Sequence, residues 1–175
     1  IKGSSAVLAV IGNPIKHSLS PVLHNRMINK LQLDLVYIPL EIKINKLGHV
    51  VQGFKAMSFA GFNVTVPFKE KIMPFLDNYD SISSQVGAVN TVCIKHGKCF
   101  GYNTDGLGFI YTLKTLNNYS LTNKKICLIG AGGTTRSLSV SLLNENINSL
   151  NIINRTKDKA DVLISNLKRS QSKTK

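Results

Sequence analysis

The sequence lacks any long apolar run. Of its 175 residues 43% are hydrophobic, yet no segment approaches the roughly 18 to 20 consecutive apolar residues that a membrane-spanning helix needs. The opening residues, Ile1-Lys2-Gly3-Ser4-Ser5, do not show the sequence pattern of a signal peptide, in which a charged region precedes an apolar one and a cleavage site. We therefore expect a cytoplasmic globular protein of one or two domains that does not bind a membrane.

Cysteine is scarce, and its spacing matches no disulfide or metal-binding motif. The three cysteines, Cys93, Cys99 and Cys127, form neither an even set nor a Cys-x-x-Cys motif. This favours reduced thiols that pack as small hydrophobic side chains. No structural metal is expected.

Acidic residues are also few. Nine Asp and Glu stand against 22 Lys and Arg, which gives a net charge of +13. Such an excess is typical of nucleic-acid-binding proteins, but the lysines are scattered singly and no aromatic residues are interleaved with a basic stripe. We therefore expect no nucleic-acid partner, while the positive field would help to attract a small anionic substrate.

What the sequence does contain is an alternation of strand and helix patterns. A short apolar run at 6–11 ends in a Gly-Asn-Pro turn, a second follows at 35–40, and a third at 62–66. Between them, Ser20-Pro21 is typical of a helix start, and apolar residues from 47 to 57 recur at helical spacing. The pattern predicts an α/β fold with parallel strands joined by helical crossovers.

The third of these strands places a lysine at its end. The run Phe62-Asn63-Val64-Thr65-Val66 is closed by Pro67, which cannot continue a sheet ladder, and Phe68-Lys69 opens the next segment. A cation held at a strand end beside Asn63 and Thr65 is suited to binding an oxygen-rich anion or to moving a proton. The alternative is that Lys69 is a solvated surface lysine.

Ser18 and Ser20 also have two interpretations. Ser20 can act as the N-cap of the helix that begins with Pro21, with Ser18 hydrogen-bonded within the loop. Alternatively, the two hydroxyls can bind a carboxylate with the help of the positive end of the helix dipole.

The middle of the chain predicts a short helix near Pro74 and then a β-hairpin at 92–102 with its turn at 95–98. Asn90 precedes the hairpin, where a buried amide needs hydrogen-bond partners. Asp105 follows it and precedes an apolar helical pattern, so that from the residues alone it is most simply a helix cap.

A strand at Lys125–Ile129 leads into the loop Gly130-Ala131-Gly132-Gly133-Thr134-Thr135 and then a helix. Glycines in this context permit a tight turn and let backbone N–H groups approach a pyrophosphate. The next strand, 150–153, is followed by Asn154-Arg155-Thr156. Arg155, with Lys159 nearby, favours a 2′-phosphate and hence NADP over NAD, the alternative being a solvated basic helix start.

Six motifs, taken in order, resemble the shikimate dehydrogenase family, which includes the shikimate and quinate dehydrogenases. They are Gly12-Asn13-Pro14 with His17-Ser18-Leu19-Ser20-Pro21, Asn63-Val64-Thr65-Val66-Pro67-Phe68-Lys69, Gly87-Ala88-Val89-Asn90-Thr91, Asn103-Thr104-Asp105-Gly106, Gly130-Ala131-Gly132-Gly133 and Asn154-Arg155-Thr156. The resemblance covers nearly the whole chain. It implies NADP(H)-dependent, reversible reduction of 3-dehydroshikimate to shikimate in aromatic amino-acid biosynthesis.

The resemblance also implies a role for each matching residue. Ser18, Ser20 and Thr65 contact the carboxylate of the substrate, and Asn90 and Asp105 contact its ring hydroxyls. Lys69 is the catalytic group and is paired with Asp105. The cofactor-binding residues are those of the glycine loop and of the basic loop: Gly130, Ala131, Gly132, Gly133, Thr134, Thr135, Asn154, Arg155, Thr156 and Lys159.

The implied architecture has two domains. Residues 1–104 form an α/β substrate-binding and catalytic domain with a mostly parallel sheet, and residues 105–175 form the first half of a Rossmann-type NADP-binding domain with a polar tail from Lys168. Because the second half of such a fold is absent from this sequence, we expect either a fragment of a longer enzyme or a truncated relative. The alternative function is an inactive or binding-only remnant, and a monomer or homodimer is expected in either case.

Overall fold

The structure is a computed structural model that describes the backbone of residues 1–172 and the side chains of residues 1–169. Its strands are β1 (Ala6–Gly12), β2 (Leu35–Glu41), β3 (Gly61–Val64), β4 (Asn78–Tyr79), β5 (Thr91–Lys95), β6 (Lys98–Tyr102), β7 (Lys125–Ile129) and β8 (Ser149–Ile153). Its helices are α1 (Ser20–Lys30), α2 (Leu47–Ala56), α3 (Ser81–Val86), α4 (Asp105–Tyr111), α5 (Gly133–Leu143) and α6 (Lys157–Ser172). Strands and helices alternate as an α/β fold requires, so the predicted fold class is confirmed.

The chain forms two compact units. The first comprises Ile1–Asp80 and Ala88–Tyr102, and the second comprises Ser81–Gly87 with Asn103–Lys175. The predicted boundary at 104/105 lies close to the last point at which the chain passes from the first unit to the second, between Tyr102 and Asn103. The short α3 segment, in contrast, groups with the second unit.

A six-stranded sheet in the order β2-β1-β3-β5-β6-β4 forms the centre of the first unit. Three of its five neighbouring pairs are parallel, and the two that involve β5 are antiparallel. The carboxyl ends of β1, β2 and β3 therefore lie along one edge of the sheet, which is where α/β sheets bind ligands.

The two faces of this sheet are packed differently. On one face, Ala9 and Ile11 of β1 join α2 residues such as Phe54 in the larger hydrophobic cluster. On the other face, Val10 and Tyr37 pack against Ile28 of α1 in a smaller cluster. Alternate residues of β1 serve opposite faces because successive strand side chains point to opposite sides. Full burial of a side chain the size of Phe54 contributes about 2–3 kcal/mol.

The predicted hairpin is confirmed as β5 and β6, paired antiparallel from Thr91↔Tyr102 to Lys95↔Lys98. Its turn residues, His96 and Gly97, both have positive φ, at 50° and 70°. Two central residues in that region define the turn whose twist matches the flanking strands.

Three predicted element boundaries are wrong. The third strand ends at Val64 instead of residue 66, because the carbonyl of Thr65 already accepts the N–H of Phe68 in a turn. The helix near Pro74 is a single 3₁₀ turn, Met73–Phe75. The tail predicted from Lys168 is helical as far as Ser172, since α6 continues to that residue, and residues 173–175 lie outside the described residues.

The second unit contains the parallel pair β7 and β8, with α5 as the crossover between them. Its hydrophobic cluster contains Ile110 of α4, Leu142 of α5 and Leu121 of the loop before β7. Helices α4 and α5 approach each other closely at Gly106, where a Cβ would lie 2.5 Å from the carbonyl oxygen of Ser137. No helix within residues 1–172 is both long enough and apolar enough to span a membrane.

An ion pair connects Lys55 of α2 to Asp77, the residue that precedes β4. The Lys55 Nζ lies 2.7 Å from Asp77 Oδ2, which also accepts the backbone N–H of Cys99 at 2.7 Å. The hydrogen bond from Lys55, and then that from Cys99, hold the pKa of the Asp77 carboxyl below its ordinary value of 3.8. The pair therefore favours the folded state only while Asp77 is ionised.

This gives a pH-dependent prediction. Because folding lowers the pKa of Asp77, its contribution to stability is present above the ordinary value of 3.8 and is lost as the pH falls through the folded value. We expect Asp77→Asn to lower the free energy of unfolding at neutral pH, and the gap from the unsubstituted chain to shrink as the pH is lowered below about 4. Urea unfolding at a series of pH values measures this gap.

The matched control is Asp161→Asn, which removes the i,i+4 partner of Lys157 on the exposed surface of α6. Such a pair contributes little because water screens it, so its gap should be small at every pH. A gap for Asp77→Asn that does not change with pH would contradict the role given to the Asp77 charge.

Candidate functional site

The first group of predicted site residues lies where the turn after β1 meets the loop after β3. The Thr65 N–H donates to the carbonyl of Ile11 at 3.0 Å, and the Asn13 N–H donates to the carbonyl of Val66 at 3.0 Å. The Asn13 side chain donates to the carbonyl of Ile42 at 3.0 Å, which adds the end of β2. Backbone hydrogen bonds and one bond from the Asn13 side chain thus hold three strand ends together.

Gly12 permits this close approach. A Cβ at position 12 would lie 2.6 Å from Cγ2 of Thr65 and 2.9 Å from Cδ1 of Ile15. Real side chains do not approach so closely in a packed interior. The glycine is therefore required here by space, and Thr65 is held at the β1 turn.

Ser18 and Ser20 occupy the start of α1, but Ser20 is not its N-cap. Leu19 occupies that position and no side chain caps the helix. The capping prediction is wrong because Ser20 is already within the first turn, where its N–H is accepted by Ser18 Oγ at 3.3 Å. Both serines are half-buried and follow the same loop that carries Asn13.

The backbone of Lys69 is fixed by its buried neighbour Phe68 and by a hydrogen bond to Val89. Phe68 is fully buried, and its N–H is accepted by the carbonyl of Thr65 at 2.9 Å. The carbonyl of Lys69 accepts the N–H of Val89 at 2.8 Å. The lysine backbone is therefore fixed next to the segment that contains Asn90, while its side chain is half-buried.

Asn90 is buried and fully built into the sheet. Its N–H donates to the carbonyl of Tyr102 at 3.0 Å, and its own carbonyl accepts the N–H of Val64 at 2.8 Å. Its side-chain Oδ1 accepts the hydroxyl of Thr91 at 2.9 Å. Of the sequence-predicted substrate residues, Thr65, Lys69 and Asn90 are thus fixed in the first unit by backbone hydrogen bonds to one another's sequence neighbours, Phe68, Val89 and Val64.

Asp105 belongs to the second unit. It is the first residue of α4, with Thr104 at the N-cap, and no side chain caps this helix. The prediction that Asp105 caps the helix is therefore wrong. Its N–H is accepted instead by Oδ1 of Asn103, at 3.3 Å, and Asn103 is itself 1% exposed. The predicted pairing of Asp105 with Lys69 stays a prediction.

The glycine loop of the second unit begins where β7 ends. Gly130 has a φ of +112°, which side chains rarely adopt, and its N–H donates to the carbonyl of Ile153 at 2.7 Å. Gly132 is the N-cap of α5, and the Arg136 N–H bonds back to its carbonyl at 3.0 Å. The buried Thr135 lies in the first turn of that helix.

The basic loop after β8 lies beside this glycine loop. The hydrogen bond from Gly130 to Ile153 joins the ends of β7 and β8, and Asn154 follows directly. The Asn154 side chain donates to the carbonyl of Thr156 at 2.7 Å, which shapes the turn into α6. Arg155 and Lys159 are both exposed.

These residues fit a dinucleotide phosphate. A Cβ at Gly132 or at Gly133 would meet no atom within 4 Å, so the approach to the N-terminus of the eleven-residue α5 is open. Backbone N–H groups at such a terminus bind phosphate, and an exposed arginine on the adjacent loop supplies charge for a second one. Within residues 1–172 no three His, Cys, Asp or Glu side chains lie together as metal ligands would.

Tyr37 and Asn25 are part of this region, although the sequence analysis did not identify them. The Tyr37 hydroxyl donates to Asn63 Oδ1 at 2.7 Å, while the Asn25 side chain binds the backbone N–H and carbonyl of Tyr37 at 3.0 and 2.8 Å. No local pattern predicts such bonds, because they join strands and helices through the sheet register.

Comparison with known proteins identifies two family models along the chain. The substrate-binding domain of shikimate dehydrogenase matches residues 10–92, and shikimate/quinate 5-dehydrogenase matches residues 112–175. Residues 10–92 contain Ser18, Ser20, Thr65, Lys69 and Asn90. Residues 112–175 contain both the glycine loop and the basic loop.

Individual relatives agree with these models. A shikimate dehydrogenase (NADP(+)) of Bacillus cereus is 48% identical over 155 residues, covering 89% of this chain and 56% of its own length. A crystal structure of a shikimate dehydrogenase in complex with NADP+ superposes with a TM-score of 0.91 at 38% identity, covering 95% of this chain and 57% of that one.

A third relative is the shikimate 5-dehydrogenase of Listeria monocytogenes, whose crystal structure contains shikimate and NAD. It superposes with a TM-score of 0.91 at 35% identity, covering 97% of this chain and 59% of that one. The present chain thus spans a little more than half the length of each of these relatives.

The close approach at Gly12 generates a stability prediction. We expect Gly12→Ala to lower the free energy of unfolding by about 1–3 kcal/mol, since the new Cβ must displace Thr65 or Ile15 from a packed position. Chemical denaturation measures the change. The control is Gly53→Ala in α2, where the added Cβ has room, at 3.7 Å from Met57, and should stabilise by about 0.5–1 kcal/mol through helix propensity. Equal stability of the two variants would show that Thr65 is not held against the turn.

Proposed function

The chain belongs to the shikimate dehydrogenase family, and on that premise we propose that it acts in the NADP-dependent, reversible reduction of 3-dehydroshikimate to shikimate. The observation that carries the proposal is that backbone hydrogen bonds fix Thr65, Lys69 and Asn90 beside the carboxyl ends of β1 and β3. This arrangement offers hydrogen-bond donors and a cation to a small, oxygen-rich anion. The finer predictions, of a cytoplasmic monomer or homodimer that serves aromatic amino-acid biosynthesis, belong to the same proposal.

Ser18, Ser20 and Thr65 are proposed to bind the substrate carboxylate. Hydroxyls from the start of α1 and from the loop after β3 can each donate to a carboxylate oxygen. The N-terminal end of α1 adds a favourable dipole. Since no side chain caps α1, the serine hydroxyls are not used to cap the helix.

Lys69 is proposed to carry the proton. When bound, NADPH supplies the hydride that reaches the C3 carbonyl carbon, and the carbonyl oxygen must gain a proton in the same reaction. An ammonium group beside that oxygen stabilises the developing negative charge and donates the proton, and in the reverse direction the neutral amine accepts it from the hydroxyl. Asp105 is proposed to pair with Lys69 and to contact a ring hydroxyl, and Asn90 to bind another.

The glycine loop and Arg155 are proposed to bind the cofactor. The loop from Gly130 to Thr135 would hold the pyrophosphate at the N-terminus of α5. Arg155, helped by Asn154, Thr156 and Lys159, would bind the 2′-phosphate that distinguishes NADP from NAD.

The proposed function is tested by measuring shikimate-dependent reduction of NADP+ by this 175-residue chain, together with its binding of shikimate and of NADP+. Turnover would establish the dehydrogenase. Binding of both ligands without turnover would favour the binding-only alternative. A chain that binds neither shikimate nor NADP+ would overturn the proposal.

Within this assay, we expect Lys69→Met to lower turnover by about 10²- to 10⁴-fold, the usual contribution of a positioned general acid, and to leave NADP+ affinity unchanged. Lys71→Met is the matched control, because Lys71 is an exposed lysine two positions away. If this chain has no turnover, the affinity for shikimate is measured instead. Equal losses of shikimate and NADP+ affinity in Lys69→Met would contradict the assignment.

Arg155→Gln should reduce the preference for NADP+ over NAD+. A charge-assisted hydrogen bond contributes about 1.5–3 kcal/mol, so the ratio of the two dissociation constants is expected to fall by roughly tenfold or more. Titration calorimetry with each dinucleotide measures this ratio. Lys168→Gln, at an exposed position further along α6, should leave it unchanged. If Arg155→Gln weakened both dinucleotides to the same extent, the 2′-phosphate would not be its partner.

A further inference from the structure

A chain of side-chain hydrogen bonds crosses one face of the first unit's sheet and ends at Asn90. The Tyr37 hydroxyl donates to Asn63 Oδ1 at 2.7 Å, and Asn63 Nδ2 donates to Thr91 Oγ1 at 3.1 Å and to the carbonyl of Asn90 at 3.2 Å. The Thr91 hydroxyl then donates to Asn90 Oδ1 at 2.9 Å. All donors point in one direction, from β2 towards the segment before β5.

The direction of these bonds determines the orientation of the Asn90 amide. Because Asn63 Nδ2 donates to Thr91 Oγ1, the single hydroxyl proton of Thr91 is directed to Asn90. Asn90 Oδ1 is thereby the acceptor on this side, and its Nδ2 hydrogens are turned to the other side. Loss of the first donor would leave Asn63 Oδ1 without this partner and would loosen the Asn63 amide, which its two Nδ2 bonds would then hold alone.

Tyr37 is held rigidly enough to act as that first donor. Its side chain is 3% exposed, and its ring stacks on that of His24 with centroids 4.2 Å apart and planes 4° from parallel. The Asn25 side chain binds its backbone on both sides. Burial raises the pKa of the Tyr37 hydroxyl to about 12, so the hydroxyl keeps its proton at any pH at which the protein would work.

A phenylalanine would fill the same space without a buried hydroxyl. A buried polar group costs free energy unless its partners are satisfied, and a satisfied network fixes one arrangement of its side chains. On this face Tyr37 also packs in an apolar cluster with Val10, Ile15 and Ile28. A hydroxyl placed beside such residues, with its hydrogen bond directed to Asn63 and so towards Asn90, indicates a role in orienting that amide.

We propose that Tyr37, acting through Asn63, is a positioning residue that orients the Asn90 amide to bind a ring hydroxyl of the substrate. The substrate part of this inference rests on the proposed function. The orientation of Asn90 does not, because it is a property of the ligand-free chain.

The test uses Tyr37→Phe in the full 175-residue chain and two readouts. In the ligand-free protein, NMR of the Asn63 and Asn90 side-chain amides should show shifted resonances and faster hydrogen exchange for both. The dissociation constant for shikimate should rise about three- to tenfold, as expected for one neutral hydrogen bond, with NADP+ affinity unchanged. Tyr79→Phe is the control, since Tyr79 lies on the same sheet with its ring exposed, and it should change neither readout.

Asn63→Ala provides a second variant and completes a double-mutant cycle. If Tyr37 acts through Asn63, Tyr37→Phe should have no further effect on shikimate affinity in the Asn63→Ala background. Additive effects would overturn the proposed route. Thermal unfolding of each variant separates a loss of orientation from a loss of folding.

The outcomes distinguish this inference from the proposed function. Unchanged Asn90 amide signals in Tyr37→Phe would overturn the positioning role, whether or not shikimate binds. Altered Asn90 signals in a protein that does not bind shikimate would support the orientation of Asn90 by Tyr37 and would overturn the proposed function, and with it the substrate part of the inference.

Discussion

The close approach of Gly12 to Thr65 is the constraint on which the candidate substrate site depends. Parallel pairing of β1 with β3 aligns Ile11 with Val64. The segments that follow these two strands then leave the sheet side by side. A Cβ at position 12 would lie 2.6 Å from Cγ2 of Thr65, so only glycine allows them to remain in contact. The loops are held by backbone hydrogen bonds rather than by mobile surface side chains, which is the rigidity that a binding site needs.

The two faces of the same sheet serve different purposes. The α2 face buries a large apolar cluster that includes Phe54, Phe62 and Phe68, and this cluster accounts for most of the first unit's hydrophobic stabilisation. The α1 face has a smaller cluster and carries the polar row from Tyr37 to Thr91. Because strand side chains alternate between faces, a single strand such as β3 contributes Phe62 to the core and Asn63 to the polar row. Core packing and the proposed orientation of Asn90 thereby fall to alternate residues of one strand.

Sequence reasoning succeeded where the determining contacts are local. The hairpin of β5 and β6, the strand β7 and the alternation of strands with helices all follow from neighbouring residues. It failed where a backbone group had a nearer partner than expected, as at Ser20, whose N–H bonds to Ser18, and at Asp105, whose N–H bonds to Asn103. Tyr37 escaped notice for a different reason: its bond to Asn63 crosses β1, and requires the registers Leu8↔Tyr37 and Val10↔Asn63, which no local pattern specifies.

The second unit builds its candidate site by the same means as the first. In each unit a glycine stands where one parallel strand ends, beside the loop that follows its neighbour. Gly12 leaves the space in which Thr65 lies, and Gly130, with a φ of +112°, donates its N–H to the carbonyl of Ile153. In each case the glycine supplies the geometry and the neighbouring loop supplies the chemistry, Lys69 or Arg155. The pairing of β7 with β8 therefore places the loop that carries Arg155 beside the glycine loop, as the proposed phosphate site requires. It follows that a change of strand register would abolish either site without altering any of its polar residues.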